Sequence, residues 1–138
     1  MLLELYENYS KLPTQEVQKN YFAYLSKLRK LAYSNDSEAQ FDLASHYDDI
    51  GFWGCPNPYF NLKKRFFWYS KSASNNFPEA YNNLANLFEK GEGVSQSLDK
   101  ALELYKKGSK LGSKLCRKNY NILKKQMDKH PVRLNIGK

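Results

Sequence analysis

The sequence predicts an all-α protein, a right-handed α-solenoid of about seven helices stacked as antiparallel pairs. Two segments nearly repeat each other at a constant offset of 41 residues, which is typical of stacked helical arrays. The matching pairs are Ala39 and Ala80, Leu43 and Leu84, Ala44 and Ala85, and Tyr47 and Phe88. Apolar residues elsewhere recur every three or four positions, and no segment shows the alternation expected of a strand.

The first two helices are predicted from their ends and from one apolar face. Residues 2–11 form a short helix before Pro13, and Thr14 is a suitable N-cap for a second helix that runs to about Ser34. The second helix has an apolar face with the three- and four-residue spacing of a helix, composed of Val17, Tyr21, Tyr24, Leu25, Leu28, Leu31 and Ala32.

The third and fourth helices are separated by an unusual loop. The third, about 37–49, follows turn and capping residues at Asn35 and Asp36. The fourth, about 61–75, has three residues at core spacing, Phe66, Tyr69 and Ala73. Residues 51–60 combine Gly, Pro and aromatic residues, so they are predicted to be a loop.

The last three helices are bounded by clear start and stop signals. Pro78 suits the first turn of the fifth helix, and Gly91 suits a left-handed C-terminal cap. Ser97 or Asp99 starts the sixth helix, and the seventh is expected over 113–128. The chain is predicted to be one domain, 1–130, made of a degenerate unit 1–34, repeats 35–77 and 78–112, and a closing helix 113–128, with a tail at 131–138.

The fifth and sixth helices carry a specific pattern of small, large and glycine residues. The pattern consists of Ala80, Leu84, Ala85, Phe88, Gly91, Gly93, Val94, Asp99, Lys100, Ala101, Leu104, Tyr105, Lys107, Gly108 and Gly112. It resembles the Sel-one-like repeat, a relative of the tetratricopeptide repeat. The resemblance implies stacked helical hairpins whose outer surfaces bind other proteins and that carry no catalytic chemistry.

The preceding unit, 37–75, matches this pattern less well. It lacks the Gly-x-Gly-Val turn, and six residues are expected to be inserted between its helices. This count places Phe66 at the position of Ala101, where the family prefers a small residue. Since Ala32 lies 41 residues before Ala73, residues 17–34 are interpreted as the second helix of the degenerate unit.

Charge and cysteine content restrict the possible functions. Residues 1–60 carry 5 Lys and Arg against 8 Asp and Glu, whereas residues 61–138 carry 17 against 6, so the net charges are −3 and +11. This asymmetry steers association with charged partners. Cys55 and Cys116 fit neither a disulfide framework nor a zinc motif, and no phosphate-binding loop is present. We expect a cytoplasmic protein with no membrane span, metal or cofactor, and no enzymatic activity.

Two surfaces are candidates for partner binding. The first helix of each repeat should line a concave groove through Asp42, His46, Asp49, Asn83, Leu87 and Lys90. His46 has an unperturbed pKa near neutrality, but a surface role fits its surroundings better than catalysis. The inserted loop offers Phe52, Trp53 and Tyr59, residues common at interfaces, although they could instead cover the neighbouring helix pair.

Two further features have both structural and functional interpretations. The aromatic run Phe66-Phe67-Trp68-Tyr69 is too wide for one buried stripe of a helix, so it packs against two neighbours or meets a partner. The basic residues near the C-terminus could be a solvated face, a surface for an acidic protein, or a nucleic-acid contact: Lys106, Lys107, Lys110, Lys114, Arg117, Lys118, Lys124 and Lys125. No recognised nucleic-acid motif accompanies them, so nucleic acid is the less favoured ligand.

The sequence therefore indicates a protein-binding module. Small bacterial chains with such repeats resemble immunity proteins, which would imply a protein that blocks a cognate toxin with an acidic surface. A general adaptor or chaperone scaffold is the alternative, and nucleic-acid binding through the basic half is the second alternative.

Overall fold

In the computed structural model, which describes residues 15–47 and 61–130, every regular element is a helix. The six helices are α1 (Gln15–Tyr33), α2 (Ser37–His46), α3 (Leu62–Ser74), α4 (Pro78–Lys90), α5 (Leu98–Lys110) and α6 (Lys114–Lys129). Each packs against the next, and α6 also contacts α4. The predicted all-α stack is confirmed. The helix predicted at 2–11, the predicted N-cap Thr14 of the helix that follows it and the tail 131–138 lie outside the described residues.

Local side chains fix where four of these helices begin. The N-cap side chains of α2, α3, α5 and α6 each accept a hydrogen bond from the backbone amide three residues later. These caps are Asp36, Asn61, Ser97 and Ser113. Helix α4 begins instead with Pro78, whose missing amide hydrogen is harmless in a first turn. Of the two predicted starts for α5, the structure selects Ser97.

The turn that joins one helix pair to the next is built the same way three times. Asn35, Asn76 and Gly112 have positive φ angles of 72°, 61° and 100°, and they are 41 and 36 residues apart. After each, a backbone amide donates to a carbonyl five residues back, from Asp36 to Leu31, Phe77 to Ser72 and Ser113 to Gly108. This hydrogen bond is the mark of a helix that ends through a left-handed residue.

One hydrophobic core runs from α1 to α6. It contains buried residues from Leu28 at one end to Leu123 at the other. A small residue stands at the same position in each first helix, Ala39 in α2, Ala80 in α4 and Cys116 in α6, and all three are buried. Small side chains there let neighbouring helices approach closely. The equivalence shows that α6, predicted to be a closing helix, occupies the position of the first helix of a third unit.

The structure corrects the sequence alignment of the two second helices. Both helices begin one residue after their N-caps, so α3 and α5 differ by 36 residues and Arg65, not Phe66, corresponds to Ala101. The prediction for Phe66 is therefore wrong, and five residues rather than six are inserted. The sequence pattern misaligns the two helices by one residue because Arg65, a large buried residue, occupies a position where a small residue is expected. Phe66 is half-buried and packs edge-on against Phe88, with ring centroids 5.6 Å apart.

The Gly-x-Gly turn between α4 and α5 holds the two units together. The guanidinium of Arg65, whose side chain is 4% exposed, donates to the carboxylate of Glu92 in this turn, with an Nη2–Oε2 distance of 2.8 Å. Gly93 has a φ of 75°, and a Cβ there would lie 2.8 Å from the carbonyl oxygen of Leu62. Side-chain atoms at Gly93 would therefore push the turn away from α3. The left-handed cap predicted at Gly91 is confirmed by its φ of 71°.

The aromatic run on α3 is divided between core and surface. Trp68 and Tyr69 are buried, Phe66 is half-buried and Phe67 is 48% exposed. On α1, Leu25, Leu28 and Ala32 are buried, but Tyr24 and Leu31 are more than two-fifths exposed, so its buried face is narrower than the predicted one. No helix in the part of the chain described here combines the length and apolar character needed to cross a membrane.

Candidate partner-binding surface

One polar position recurs along the first helices. Asp42 on α2, Asn83 on α4 and Asn119 on α6 are spaced by 41 and 36 residues, as are the turns that join the units. Asn119 donates to the side-chain oxygen of Asn82 at 2.6 Å, and Asn82 donates to that of Asn83 at 3.2 Å. We call Asp42, Asn83 and Asn119 the polar row. Asp42 is exposed and Asn83 and Asn119 are half-buried, so the polar row presents a carboxylate and two amides near the surface.

Asn119 is the member of the polar row that the sequence analysis missed. The sequence pattern predicts a closing helix here, because α6 lacks the alanines that mark the first helices of the two repeats. The signal was present in the sequence, because Cys116 lies 36 residues after Ala80 and Asn119 lies 36 residues after Asn83.

Asp42 makes one end of the polar row acidic. It is exposed, and desolvation together with the nearby charges of Glu38 and Asp36 raises the pKa of its carboxyl group. Asp42 and the flanking carboxylates line a shallow cavity of about 320 Å³ between α1 and α2, together with apolar side chains such as Leu28 and Leu31. Clustered carboxylates attract a cationic group from a partner, because it relieves their mutual repulsion.

His46 is neutral at physiological pH. Burial, and secondarily the positive charge of Arg29, lowers the pKa of its imidazole to about 4. Its ring lies edge-on to Tyr47, with centroids 5.6 Å apart. Because it stays neutral, His46 offers hydrogen-bonding and packing to its surroundings and does not titrate near neutral pH.

The other predicted groove residues differ in accessibility. Lys90 is exposed in the last turn of α4, so its ammonium group is free to meet a partner. Leu87 is only 5% exposed and belongs to the hydrophobic core, as does the equivalent Leu123 of α6. Asp49 and the loop residues Phe52, Trp53 and Tyr59 lie outside the described residues.

The C-terminal helices present a basic surface. All eight predicted cations of this surface, which lie on α5 and α6, are exposed. Two of them pair within their own helix, Lys107 with Glu103 at 3.2 Å and Lys124 with Asp128 at 3.7 Å. Such exposed pairs stabilise little, so the basic surface remains available to an acidic partner.

Residues 15–47 and 61–130 contain no group of three or more His, Cys, Asp or Glu side chains placed to hold a metal ion. Cys116 is buried in the core, where desolvation raises the pKa of its thiol. A protonated, inaccessible thiol is a poor nucleophile. The polar row and the basic surface are two candidate binding features of these segments.

Paired antiparallel helices, identical turns between pairs and a polar row on the first helices define a helical-repeat protein. A model of the Sel1 repeat matches residues 37–77 and 78–113, which together make up more than half of the chain. The chain therefore belongs to the Sel1 repeat family. The two matched units differ in length by five residues, which agrees with an insertion of five residues between α2 and α3. Repeats of this family serve protein–protein interaction, so the chain is a protein-interaction module.

A solved structure was also found to be similar. A Sel1 repeat protein from Oxalobacter formigenes is 23% identical, with a TM-score of 0.44, and the alignment covers 70% of this chain and 96% of that one. No curated protein matches the chain significantly.

Proposed function

We propose that the chain is a non-catalytic, cytoplasmic immunity protein that binds a cognate toxin and blocks it by occlusion. The single observation that carries the proposal is the polar row, which repeats on the first helices of a chain that belongs to a family of interaction modules. Asn119 also joins α6 to α4 through its hydrogen bond to Asn82, which is 8% exposed.

The proposed toxin-binding surface combines the polar row, His46, Lys90 and the loop residues Asp49, Phe52, Trp53 and Tyr59. Hydrogen bonds from the asparagine amides would fix the register of the toxin, and aromatic side chains of the loop would supply apolar contact area. Leu87 is left out of this surface because it is buried.

Electrostatic attraction would speed the docking of an acidic toxin. The chain has a net charge of +8, and its exposed cations are concentrated on α5 and α6. Complementary surfaces of this kind raise association rates more than they raise affinity, and salt weakens the effect. A fast-binding inhibitor suits a toxin that must be neutralised before it acts.

The test is co-expression with each growth-arresting protein encoded beside this gene. We expect one of them to be neutralised and to form a stable complex in pull-down and calorimetry. The paired variant Asn83→Ala/Asn119→Ala should weaken this complex by at least about tenfold. Ser74→Ala, an exposed change on a second helix, is the matched control and should leave the affinity unchanged.

Other outcomes would contradict the proposal. Weak binding to many unrelated proteins, with no rescue of growth, would indicate an adaptor or chaperone scaffold. Salt-sensitive retention on DNA or RNA that disappears in Lys114→Glu/Lys118→Glu/Lys124→Glu would indicate a nucleic-acid-binding protein.

A further inference from the structure

A basic, aromatic cavity lies between α1 and α3. These are second helices of the array and supply most of its lining. Its volume is about 650 Å³, within the range of ligand-binding sites. Arg29 and Tyr33 line it from α1, Leu43 and Tyr47 from α2, and Lys63, Lys64, Phe67 and Trp68 from α3. We call it the aromatic cavity. It differs from the surface proposed above, whose described residues all come from first helices.

Aromatic side chains make up a large part of the cavity lining. Trp68 is buried, whereas Tyr33 and Phe67 are 77% and 48% exposed. Both exposed rings stand edge-on to Trp68, with centroid distances of 5.0 Å and interplanar angles of 86° and 84°. The exposed rings of Tyr33 and Phe67 therefore offer apolar surface to an inserted side chain.

Among the described residues that line the cavity, the charged ones are cationic. They are Arg29, Lys63 and Lys64, and all three are exposed. The positive charge of Arg29 also contributes to the lowered pKa of the neighbouring His46. The described lining therefore favours a ligand that brings negative charge around an apolar group.

The second repeat shows that the fold does not require this chemistry. Some features recur in the next unit. Leu84 and Phe88 stand at the positions of Leu43 and Tyr47. The Lys100 ammonium lies 5.5 Å from the centroid of the Phe88 ring, as the Lys64 ammonium lies 5.4 Å from that of Tyr47. The other lining residues change completely. The counterparts of Arg29 and Tyr33, 41 residues later, are Ser70 and Ser74. The counterparts of Lys63, Phe67 and Trp68, 36 residues later, are Asp99, Glu103 and Leu104.

We propose that the aromatic cavity binds an acidic peptide segment of a partner protein, with one large apolar side chain inserted beside Trp68. The lining residues that differ from their counterparts 41 or 36 positions later supply both parts of the recognition. Tyr33, Phe67 and Trp68 hold the inserted side chain, and Arg29 and Lys63 pair with the flanking carboxylates. This inference does not depend on the identity of the toxin.

The test uses the whole chain and a short fluorescein-labelled peptide of glutamates around one tryptophan. We expect saturable binding in fluorescence anisotropy, weakened by salt. The variant Lys63→Asp/Phe67→Glu introduces the residues of the second repeat at exposed positions and should weaken binding by at least about tenfold. The variant Lys129→Asp/Leu115→Glu makes the same change in charge and apolarity on exposed α6 residues outside the basic surface and should change the affinity by less than about twofold.

Control peptides and competitors decide between possible occupants. Replacing the tryptophan by serine, or the glutamates by lysines, should abolish binding. Circular dichroism and urea unfolding of both variants establish that they remain folded. The proposal is overturned if no peptide binds, if both double variants lose affinity equally, or if single-stranded oligothymidine binds the cavity more tightly than the peptide. Self-association that Lys63→Asp/Phe67→Glu abolishes, without peptide binding, would also overturn it.

Discussion

At the scale of single residues, Gly108 determines how closely α5 approaches its neighbours. A Cβ at this position would overlap Sγ of Cys116 and lie 2.9 Å from Cβ of Tyr81. Alanine favours a helix by up to about 1 kcal/mol over glycine, whereas overpacking a core costs about 1–3 kcal/mol. We expect Gly108→Ala to lower the free energy of unfolding by a net of up to about 2 kcal/mol in urea titrations, because Cβ of Tyr81 is fixed to its backbone and the cost of overpacking exceeds the gain in helix propensity.

A double variant identifies the source of this loss. Cys116→Ala removes the sulfur that the new methyl group would meet. The double variant Gly108→Ala/Cys116→Ala should therefore lose less free energy of unfolding than the two single variants lose together. Additive effects would show that the space around Gly108 is less restricted than the structure implies.

His46 gives the stability a defined pH dependence. The pKa of its imidazole is about 4 in the folded chain and about 6.5 when unfolded, so only the unfolded state takes up a proton between these values. Stability contributed by His46 is present above about pH 6.5 and is lost as the pH falls to about 4. We expect the unfolding temperature of His46→Gln to fall less between pH 7 and pH 5 than that of the unchanged chain.

The exposed change Asn121→Gln, which involves no titratable group, is the control for this measurement and should leave the pH dependence of the unfolding temperature unchanged. A His46→Gln variant with the same pH dependence as the unchanged chain would contradict the assignment of a neutral, half-buried imidazole.

At the scale of elements, the left-handed turns determine how one unit meets the next. Asn76 has a φ of 61°, which alanine adopts at a cost of about 1–2 kcal/mol and glycine adopts freely. We expect Asn76→Ala to lower the free energy of unfolding by about 1–2 kcal/mol and Asn76→Gly to change it by a few tenths. Urea titration of both variants, with the exposed Ser74→Ala as control, measures the difference. Equal stability of the two Asn76 variants would rule out this explanation.

At the scale of the whole molecule, the continuous core should make the helices unfold together. Leu28 and Leu123 lie at opposite ends of one buried cluster. We expect Leu28→Ala and Leu123→Ala each to destabilise the same single transition by about 2–5 kcal/mol, and Leu115→Ala, 53% exposed, by less than about 1 kcal/mol. Calorimetry together with far-UV circular dichroism checks this. Two separated transitions, each sensitive to one end, would show independent units.

The sequence was sufficient for most of the helical architecture because its signals are local. Proline, glycine and capping residues act within one turn of helix, which is why α2 to α6 begin and end close to their predicted positions. The small residues at Ala39 and Ala80 revealed the repeat for the same reason, since close packing restricts residue size at fixed intervals.

The sequence was insufficient where the outcome depends on contacts between distant segments. Arg65 is tolerated at a small-residue position because Glu92, 27 residues later, pairs with it. The burial of Leu87 and the lowered pKa of His46 likewise depend on neighbouring helices. The aromatic cavity draws its residues from three helices, and no local pattern in the sequence places them together.

The three positive-φ residues Asn35, Asn76 and Gly112 also suggest where this array can be cut and rejoined. The junctions share one hydrogen-bond pattern although the units they separate differ in length, so added residues are absorbed inside a unit and leave the joint unchanged. A chimaera that exchanges whole units at these joints would keep the pitch of the stack. Binding specificity could then be transplanted one hairpin at a time.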